Sequence, residues 1–244
     1  MDTLITDEPT ESAAPQLPPR VLDLATMSLR EVNAALHRPD LGTQDIVVTN
    51  PAGAHSVAVG LDAPVSVTID GHVGYYVAGM NQQAQVRILG NAGVGVGENM
   101  MSGSIRVQGN ASQSAGASAH GGLLVIEGDA AARCGISMKG VDIVVGGNIG
   151  HLSAFMAQAG RLVVRGDAGD ALGDSVYEAR LYVRGSVASL GADCVAKDMG
   201  PEHHAELAEL LAAAGFHDDR TEEYTRYGSA RNLYHFKVDN VGSY

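Results

Sequence analysis

The sequence predicts an all-β protein, a right-handed parallel β-helix of about seven 19-residue coils with a short capping helix at each end. Two observations carry this prediction. Glycines recur at an unbroken spacing of nineteen residues, a fixed period typical of a solenoid. Aliphatic side chains stand two and four residues before each of them, which is the alternation of a strand with one buried face. The repeating glycines are Gly71, Gly90, Gly109, Gly128, Gly147, Gly166 and Gly185.

The aliphatic positions before these glycines form the predicted core. They are Val67 and Ile69, Val86 and Ile88, Ile105 and Val107, Leu124 and Ile126, Ile143 and Val145, Leu162 and Val164, and Leu181 and Val183. Stacked coils would bury both columns inside the solenoid. A charge placed among them, as in Ile126→Asp, should therefore abolish soluble expression, whereas Asp129→Asn at a corner should be mild.

Each coil continues from its strand into a short turn segment, as in Gly90-Asn91-Ala92-Gly93. We expect this segment to turn a corner, because glycine tolerates positive φ and Asn or Asp enters the left-handed region more readily than other residues. Nineteen residues would then hold three short strands and three bends. Left-handed β-helices of the acyltransferase type usually repeat in hexapeptides, and nineteen is not a multiple of six, which favours the right-handed form.

Two segments precede the repeat. Residues 1–20 are acidic and rich in proline, and are predicted to be a disordered tail. Residues 21–43 should form a helix and a linker. Ser28 and Glu31 have the spacing of a capping box, and Val32 and Leu36 give an amphipathic helix that ends near His37.

The repeat domain is expected over residues 44–195, and a capping helix with an aromatic docking tail over residues 196–244. Pro201 stands at the first position of this helix, Leu207, Leu210 and Leu211 give it one apolar face, and Gly215 ends it. We expect it to cover the open end of the last coil, where unpaired strand edges would invite aggregation. The tail that should dock on the solenoid or on another subunit contains Tyr224, Tyr227, Leu233, Tyr234, Phe236 and Tyr244.

Composition limits the possible functions. The 244 residues carry a net charge of −12 without a basic stripe, so neither nucleic acid nor a membrane surface is an expected partner. The acidic, proline-rich start does not resemble a secretory signal, and a cytoplasmic location is expected. Cys134 and Cys194 are the two cysteines, too few for a metal or iron–sulfur site made by this chain alone, and are expected to be buried thiols.

No catalytic, cofactor or metal site is predicted within the chain. The run of Gly93, Gly95 and Gly97 fails the dinucleotide fingerprint at Glu98-Asn99, lacks a following helix and is read as a solenoid corner. His72, His120 and His151 fall in different columns of the repeat, which disfavours a shared zinc site. Other polar residues are interpreted as corners and solvated faces. They include Asp129, Asp167 and Asp174.

The stretch NAGVGVGENMMSGSIRVQGNA, with the 19-residue spacing, resembles the GXGXG domain, the right-handed β-helix that ends the large subunit of glutamate synthase. The resemblance covers about residues 44–195. The whole chain, including RYGSARNLYHFKVDN, is more similar to the free-standing GXGXG subunit of N-methylglutamate synthase (methylamine-glutamate N-methyltransferase).

This resemblance implies a cytoplasmic hetero-oligomer in which this chain is a scaffold without its own active site. One partner would be a glutamine amidotransferase (glutaminase) subunit, and another a glutamate synthase-like subunit that binds FMN and an iron–sulfur cluster. No catalytic residue is carried over to this chain. The alternatives are a GXGXG subunit of a formylmethanofuran dehydrogenase-like complex, a left-handed β-helix acyltransferase or γ-type carbonic anhydrase, and a free-standing adhesin or ice-binding solenoid.

Overall fold

The computed structural model describes residues 19–38 and 45–233, which form a parallel β-solenoid with two α-helices. Its strands are β1 (Arg20–Asp23), β2 (Asp45–Thr49), β3 (Ser66–Asp70), β4 (Gln85–Ile88), β5 (Ser104–Val107), β6 (Leu123–Ile126), β7 (Lys139–Val145), β8 (Ala159–Val164), β9 (Arg180–Val183), β10 (Cys194–Lys197) and β11 (Thr225–Ser229). The helices are α1 (Leu29–Leu36) and α2 (Pro201–Ala213), with a 3-10 turn at Thr221–Glu223.

One sheet runs along the whole solenoid in the order β1 to β9, then β11 and β10. From β3 to β9 the strands are parallel, and each residue pairs with the residue nineteen positions later, except that Lys139 pairs with Ala159 at a bulge in β7. The register thus confirms the predicted repeat and stacks its two aliphatic columns inside the solenoid, where Ile69, Ile126 and Leu162 are fully buried. The all-β parallel β-helix is confirmed, while its right-handedness stays a prediction.

Each coil contains one regular strand rather than the three that we predicted. A second column is joined by single bridges, such as Val73 to Ala92 and Ala92 to Ala111. The third side of the coil is a ribbon in which every second residue has positive φ, as at Tyr76 (59°), Ala78 (51°) and Met80 (56°). An extended strand needs negative φ throughout, so this alternation excludes a third strand.

The coil glycines correct another expectation. Of the seven, Gly71 alone has positive φ. The other six are required by the close approach of neighbouring coils: a Cβ on Gly90 would lie 2.7 Å from the carbonyl carbon of Gly71, and one on Gly166 would lie 2.7 Å from that of Gly147. The flanking Asn91 and Asp129 are likewise outside the left-handed region.

The helix α1 confirms its predicted limits and cap. The Ser28 hydroxyl accepts a hydrogen bond from the Glu31 N–H, Glu31 bonds back to Ser28, and His37 is the C-cap. Asn33 in this helix serves the first coil: its Nδ2 donates to the Ser56 carbonyl at 2.8 Å and its Oδ1 accepts from the Ala58 N–H at 2.9 Å. Without Asn33, these two backbone groups of the first coil would have no preceding coil to bond to.

The helix α2 begins at Pro201 and is followed by Ala214 and Gly215, as predicted, but it does not cover the end of the solenoid. It packs on the outer face of the sheet, with Leu207, Leu210 and Leu211 against a column of outward side chains. That column consists of Val125, Val144, Val163 and Tyr182. The edge of β9 is instead covered by β11, which pairs with it antiparallel. A helix has no free backbone groups with which to satisfy a strand edge, whereas a strand has.

The domain limits are partly visible in this arrangement. Arg20, assigned to the tail, already begins β1, a strand that the sequence did not predict. Residues 1–18 of the predicted tail, and Tyr234, Phe236 and Tyr244 of the predicted docking segment, lie outside the described residues. Tyr224 is buried beside α2 and Tyr227 packs against the core. No helix among the described residues is both long and apolar enough to cross a bilayer.

Candidate functional site

The GXGXG segment is a structural element of the coil that begins with β4. Gly93 lies against the preceding coil, where a Cβ would come within 2.7 Å of the Tyr75 nitrogen. Gly95 (φ 73°) and Gly97 (φ 64°) are two of the positive-φ positions of the ribbon, and Asn99 is the third. Their N–H groups bond to the neighbouring coils, Gly95 to the Gln113 carbonyl and Gly97 to the Val77 carbonyl. The N–H groups of this loop therefore hold coils together.

The ribbon repeats in every coil at the same positions, although its residues differ. Positive φ occurs at Ser114 and Ser118 in the coil that begins with β5, and at Leu152, Ala154 and Met156 in the coil that begins with β7. A left-handed residue other than glycine costs about 1 kcal/mol or more, so hydrogen bonds to both neighbouring coils must over-determine the conformation. The Tyr76 N–H, for example, donates to the Val94 carbonyl at 2.7 Å, and the Ala78 N–H to the Val57 carbonyl at 2.9 Å.

The residue after each coil glycine belongs to a polar ladder on the outside of the solenoid. The side chain of each of the first six rungs accepts a hydrogen bond from the backbone N–H of the next rung at 2.7–2.9 Å. The rungs are His72, Asn91, Asn110, Asp129, Asn148, Asp167 and Ser186. Asp129 and Asp167, predicted as corner residues, are thus structural acceptors. Asp174 accepts from the Ala192 N–H and the Ser175 hydroxyl.

Two histidines, His55 and His72, and both cysteines have structural surroundings that explain them. His72 Nδ1 accepts from the Asn91 N–H, while His55 accepts from the Tyr75 N–H and stacks on the Tyr75 ring. Both thiols are buried, and burial raises the pKa of Cys134 to about 12 and that of Cys194 to about 11. The thiolate form is therefore disfavoured at neutral pH. Within residues 19–38 and 45–233, no group of His, Cys, Asp or Glu side chains is arranged to hold a metal ion.

The outer face of the sheet is divided into a covered and an open half. Over β6 to β9 the outward column is apolar and lies under α2, but over β2 to β4 it continues as Val47, Thr68 and the exposed Arg87. Arg106 marks the boundary, since its guanidinium bonds the Glu127 carboxylate and the Ala214 carbonyl at the end of α2. A groove of about 490 Å³ lies over the open half.

A network of charges anchors the covered half. Asp219, whose side chain is 4% exposed, accepts hydrogen bonds from Arg165, Arg184 and the Tyr224 hydroxyl. The hydrogen bonds from the Arg165 guanidinium are the main reason that the pKa of Asp219 lies below its usual range. The hydrogen bond from the Tyr224 hydroxyl lowers this pKa to a lesser extent. Arg165 also lies over the Phe216 ring, 4.1 Å from its centroid. The sequence does not reveal this network, because its members are far apart in the chain.

One curated protein is similar to this chain over most of its length. Protein GlxC from Rhizobium meliloti (strain 1021) is 62% identical over 226 residues, an alignment that covers 92% of this chain and 99% of that protein. This chain belongs to the GlxC family. No protein-family model matches it. The alignment thus reaches over nearly the full length of the GlxC protein and most of this GlxC-family chain.

Proposed function

We propose that this chain is a scaffold subunit of a glutamate synthase-like complex, one that forms N-methylglutamate, and that it positions a glutaminase subunit beside a subunit carrying FMN and an iron–sulfur cluster. The solenoid would hold the two so that ammonia or methylamine reaches the flavin-bearing subunit. The proposal rests on the GXGXG segment, whose glycines occupy a repeated, tightly bonded position in the solenoid.

The physical character of the chain supports a structural role. Every inward column is filled by packed side chains, and the polar ladder commits its side chains to backbone hydrogen bonds. The two thiols are buried and protonated at neutral pH. Stacked coils with a fixed register give a stiff body, which suits a subunit that sets the distance between partners.

We assign the open half of the sheet face to one of these partners. In the covered half, an amphipathic helix packs across the outward residues of the strands, so this face of the sheet can bind a helix. The open groove begins at Arg106, where α2 ends, and a partner helix placed over Val47 and Thr68 would extend the same layer. Arg87 would then meet an acidic side chain of that helix.

The decisive experiment purifies the tagged chain from its native source. We expect it to bring along a glutaminase subunit and a subunit with the visible absorbance of FMN, in a complex that hydrolyses glutamine. The chain expressed alone should carry no flavin and hydrolyse no glutamine. Flavin or glutaminase activity in the isolated chain would overturn the proposal, as would a native complex that lacks both companions.

A charge reversal tests the assigned face. Arg87→Glu should reduce recovery of one of the two companion subunits at least tenfold, because the reversed charge would repel the acidic side chain of that partner. Lys139→Glu is the matched control, since Lys139 is also exposed on a strand but lies outside the groove. Equal recovery with both variants would show that the open half is not the contact.

A further inference from the structure

A basic cleft of about 300 Å³ lies where the start of α2 meets the C-terminal edge of the sheet. It is lined by Arg180, Lys197, His203, Arg226, Gly228 and Arg231, together with Glu178. Such a concentration of positive charge is notable in a chain with a net charge of −12. It lies at the other end of the sheet from the open groove and has no part in the proposed function.

Two positive charges of the cleft, those of Lys197 and Arg226, face each other across a strand pair and are not neutralised by a carboxylate of the described residues. Lys197 and Arg226 are direct partners in the antiparallel β10–β11 pair, so their side chains emerge on one face, where like charges destabilise the pair. Arg226 donates from Nε and Nη2 to the Asp198 carbonyl, a neutral acceptor. In the part of the chain that the structure describes, no carboxylate forms an ion pair with Lys197 or Arg226.

The remaining cations of the cleft are matched by acids. Arg180 pairs with Glu206 at 2.7 Å, and Arg231 pairs with Glu178 at 3.0 Å. The described side chains of the cleft therefore leave an excess of about two positive charges, those of Lys197 and Arg226. An anion with two negative charges would remove the excess.

Gly228 forms the floor of the cleft, and no contact within the described part of the chain requires a glycine at this position. Its φ lies outside the left-handed region, and a Cβ added to it would meet nothing closer than the Ala179 carbonyl oxygen at 3.8 Å. Neither conformation nor crowding excludes a side chain there. Glycine inside a strand weakens the strand, and it often marks a place where a ligand comes close to the backbone.

The first turn of α2 adds one hydrogen-bond donor, on His203, to the same cleft. His203 Nδ1 accepts from the Gly200 N–H at 3.0 Å, so the neutral ring carries its proton on Nε2. The thirteen-residue helix also directs the positive end of its dipole toward this side. The helix start thus reinforces the charges of Lys197 and Arg226.

We propose that this cleft binds a small doubly charged oxyanion, either a phosphate ester or a dicarboxylate, held by Lys197 and Arg226 over Gly228. The volume suits a small molecule, since it equals the lower end of the range for ligand pockets. Arginine and lysine are the residues that recognise both kinds of anion.

Calorimetric titration of the full chain with inorganic phosphate, and separately with malonate, tests this inference. We expect saturable binding of at least one of them. Lys197→Gln and Arg226→Gln should each weaken it at least tenfold, whereas Arg87→Gln, which removes an exposed charge outside the cleft, should leave it unchanged. Binding of phosphate alone would assign a phosphate ester, and binding of malonate alone a dicarboxylate.

Gly228→Val separates the site from the stability of the strand. Valine favours strand geometry and would fill the floor, so we expect an unchanged or higher melting temperature together with a tenfold or greater loss of anion binding. The proposal fails if neither anion binds the full chain, if Gly228→Val binds as the parent does, or if Arg87→Gln weakens binding as much as Lys197→Gln. These outcomes need no partner subunit and are independent of the scaffold role.

Discussion

The residues next to the coil glycines show how one side chain can serve two coils. Each rung of the polar ladder supplies an acceptor to the backbone N–H of the following rung, so a short polar residue is needed there in coil after coil. Asp and Asn are interchangeable in this role because both carry Oδ1. Carbonyl and carboxylate oxygens accept the same bond, and this explains why the ladder mixes Asn110, Asp129 and Asn148.

A pair of substitutions at Asp129 should separate this role from charge. Asp129→Ala removes the acceptor of the Asn148 N–H and should lower the free energy of unfolding by about 0.5–1.5 kcal/mol. Asp129→Asn keeps an acceptor and should cost less than half as much. Urea denaturation measures both. Equal losses would mean that the carboxylate charge, rather than the hydrogen bond, matters at this rung.

Ile126 represents the opposite extreme, a side chain that is 0% exposed in the middle of the stack. Ile126→Asp would place a carboxylate among aliphatic neighbours with no cation to pair, at a cost of several kcal/mol. We expect no soluble protein, measured as the soluble fraction after expression, whereas Asp129→Asn should express like the parent. Normal solubility of Ile126→Asp would contradict the inward register.

The helix α2 shows how an element is placed by the surface available to it. Its apolar face covers Val125, Val144 and Val163, the outward positions of three consecutive coils. In the preceding coils the corresponding residues are Arg87 and Arg106. The C-terminal end of α2 lies beside Arg106, whose guanidinium donates to the Ala214 carbonyl. The limits of the helix contact thus coincide with a change from arginine to valine along one column.

Asp219 fastens the segment after α2, and its contribution should depend on pH. Since its folded-state pKa is lowered from an ordinary value of 3.8, it stabilises the fold above that value, and the stabilisation is lost as the pH falls through the lowered pKa. Asp219→Asn should cost about 1–3 kcal/mol at pH 7 and progressively less below about pH 4. Denaturation curves at several pH values measure this. Asp218→Asn, at an exposed position, is the control and should cost nothing at any pH.

Across the whole molecule, the two ends of the solenoid are closed by different devices. At the first coil, Asn33 of α1 satisfies one carbonyl and one N–H. At the last, β11 reverses direction and pairs with β9. Both devices hide backbone groups that could pair with another molecule.

Removing the first closure should expose the end of the stack. Asn33→Ala leaves the Ser56 carbonyl and the Ala58 N–H without their partner, and should lower the free energy of unfolding by about 1–3 kcal/mol and promote end-to-end association. Thermal melting and sedimentation velocity measure the two effects. Arg30→Ala on the exposed side of the same helix is the control. A monomeric, fully stable Asn33→Ala would contradict this role.

The sequence predicts what repeats and misses what depends on distant pairing. The nineteen-residue spacing was sufficient to align Val67 with Val86 and Ile105, because identical coils must stack in register. The positive φ of Tyr76 and Leu152 is imposed by neighbouring coils and has no local signal in those residues. The run of outward valines could have located α2. The cleft beside Gly228 depends on the pairing of Lys197 with Arg226, which nothing in the local sequence indicates.

The invariant step between coils also makes the molecule a graduated ruler. Because β3 to β9 stack at one offset, apart from a bulge at Lys139, gaining or losing one whole coil would keep the inward columns in register while lengthening or shortening the body by one strand spacing, about 4.8 Å. The distance between proteins bound near its two ends can therefore change only in steps of one strand spacing, through in-frame gain or loss of a complete coil.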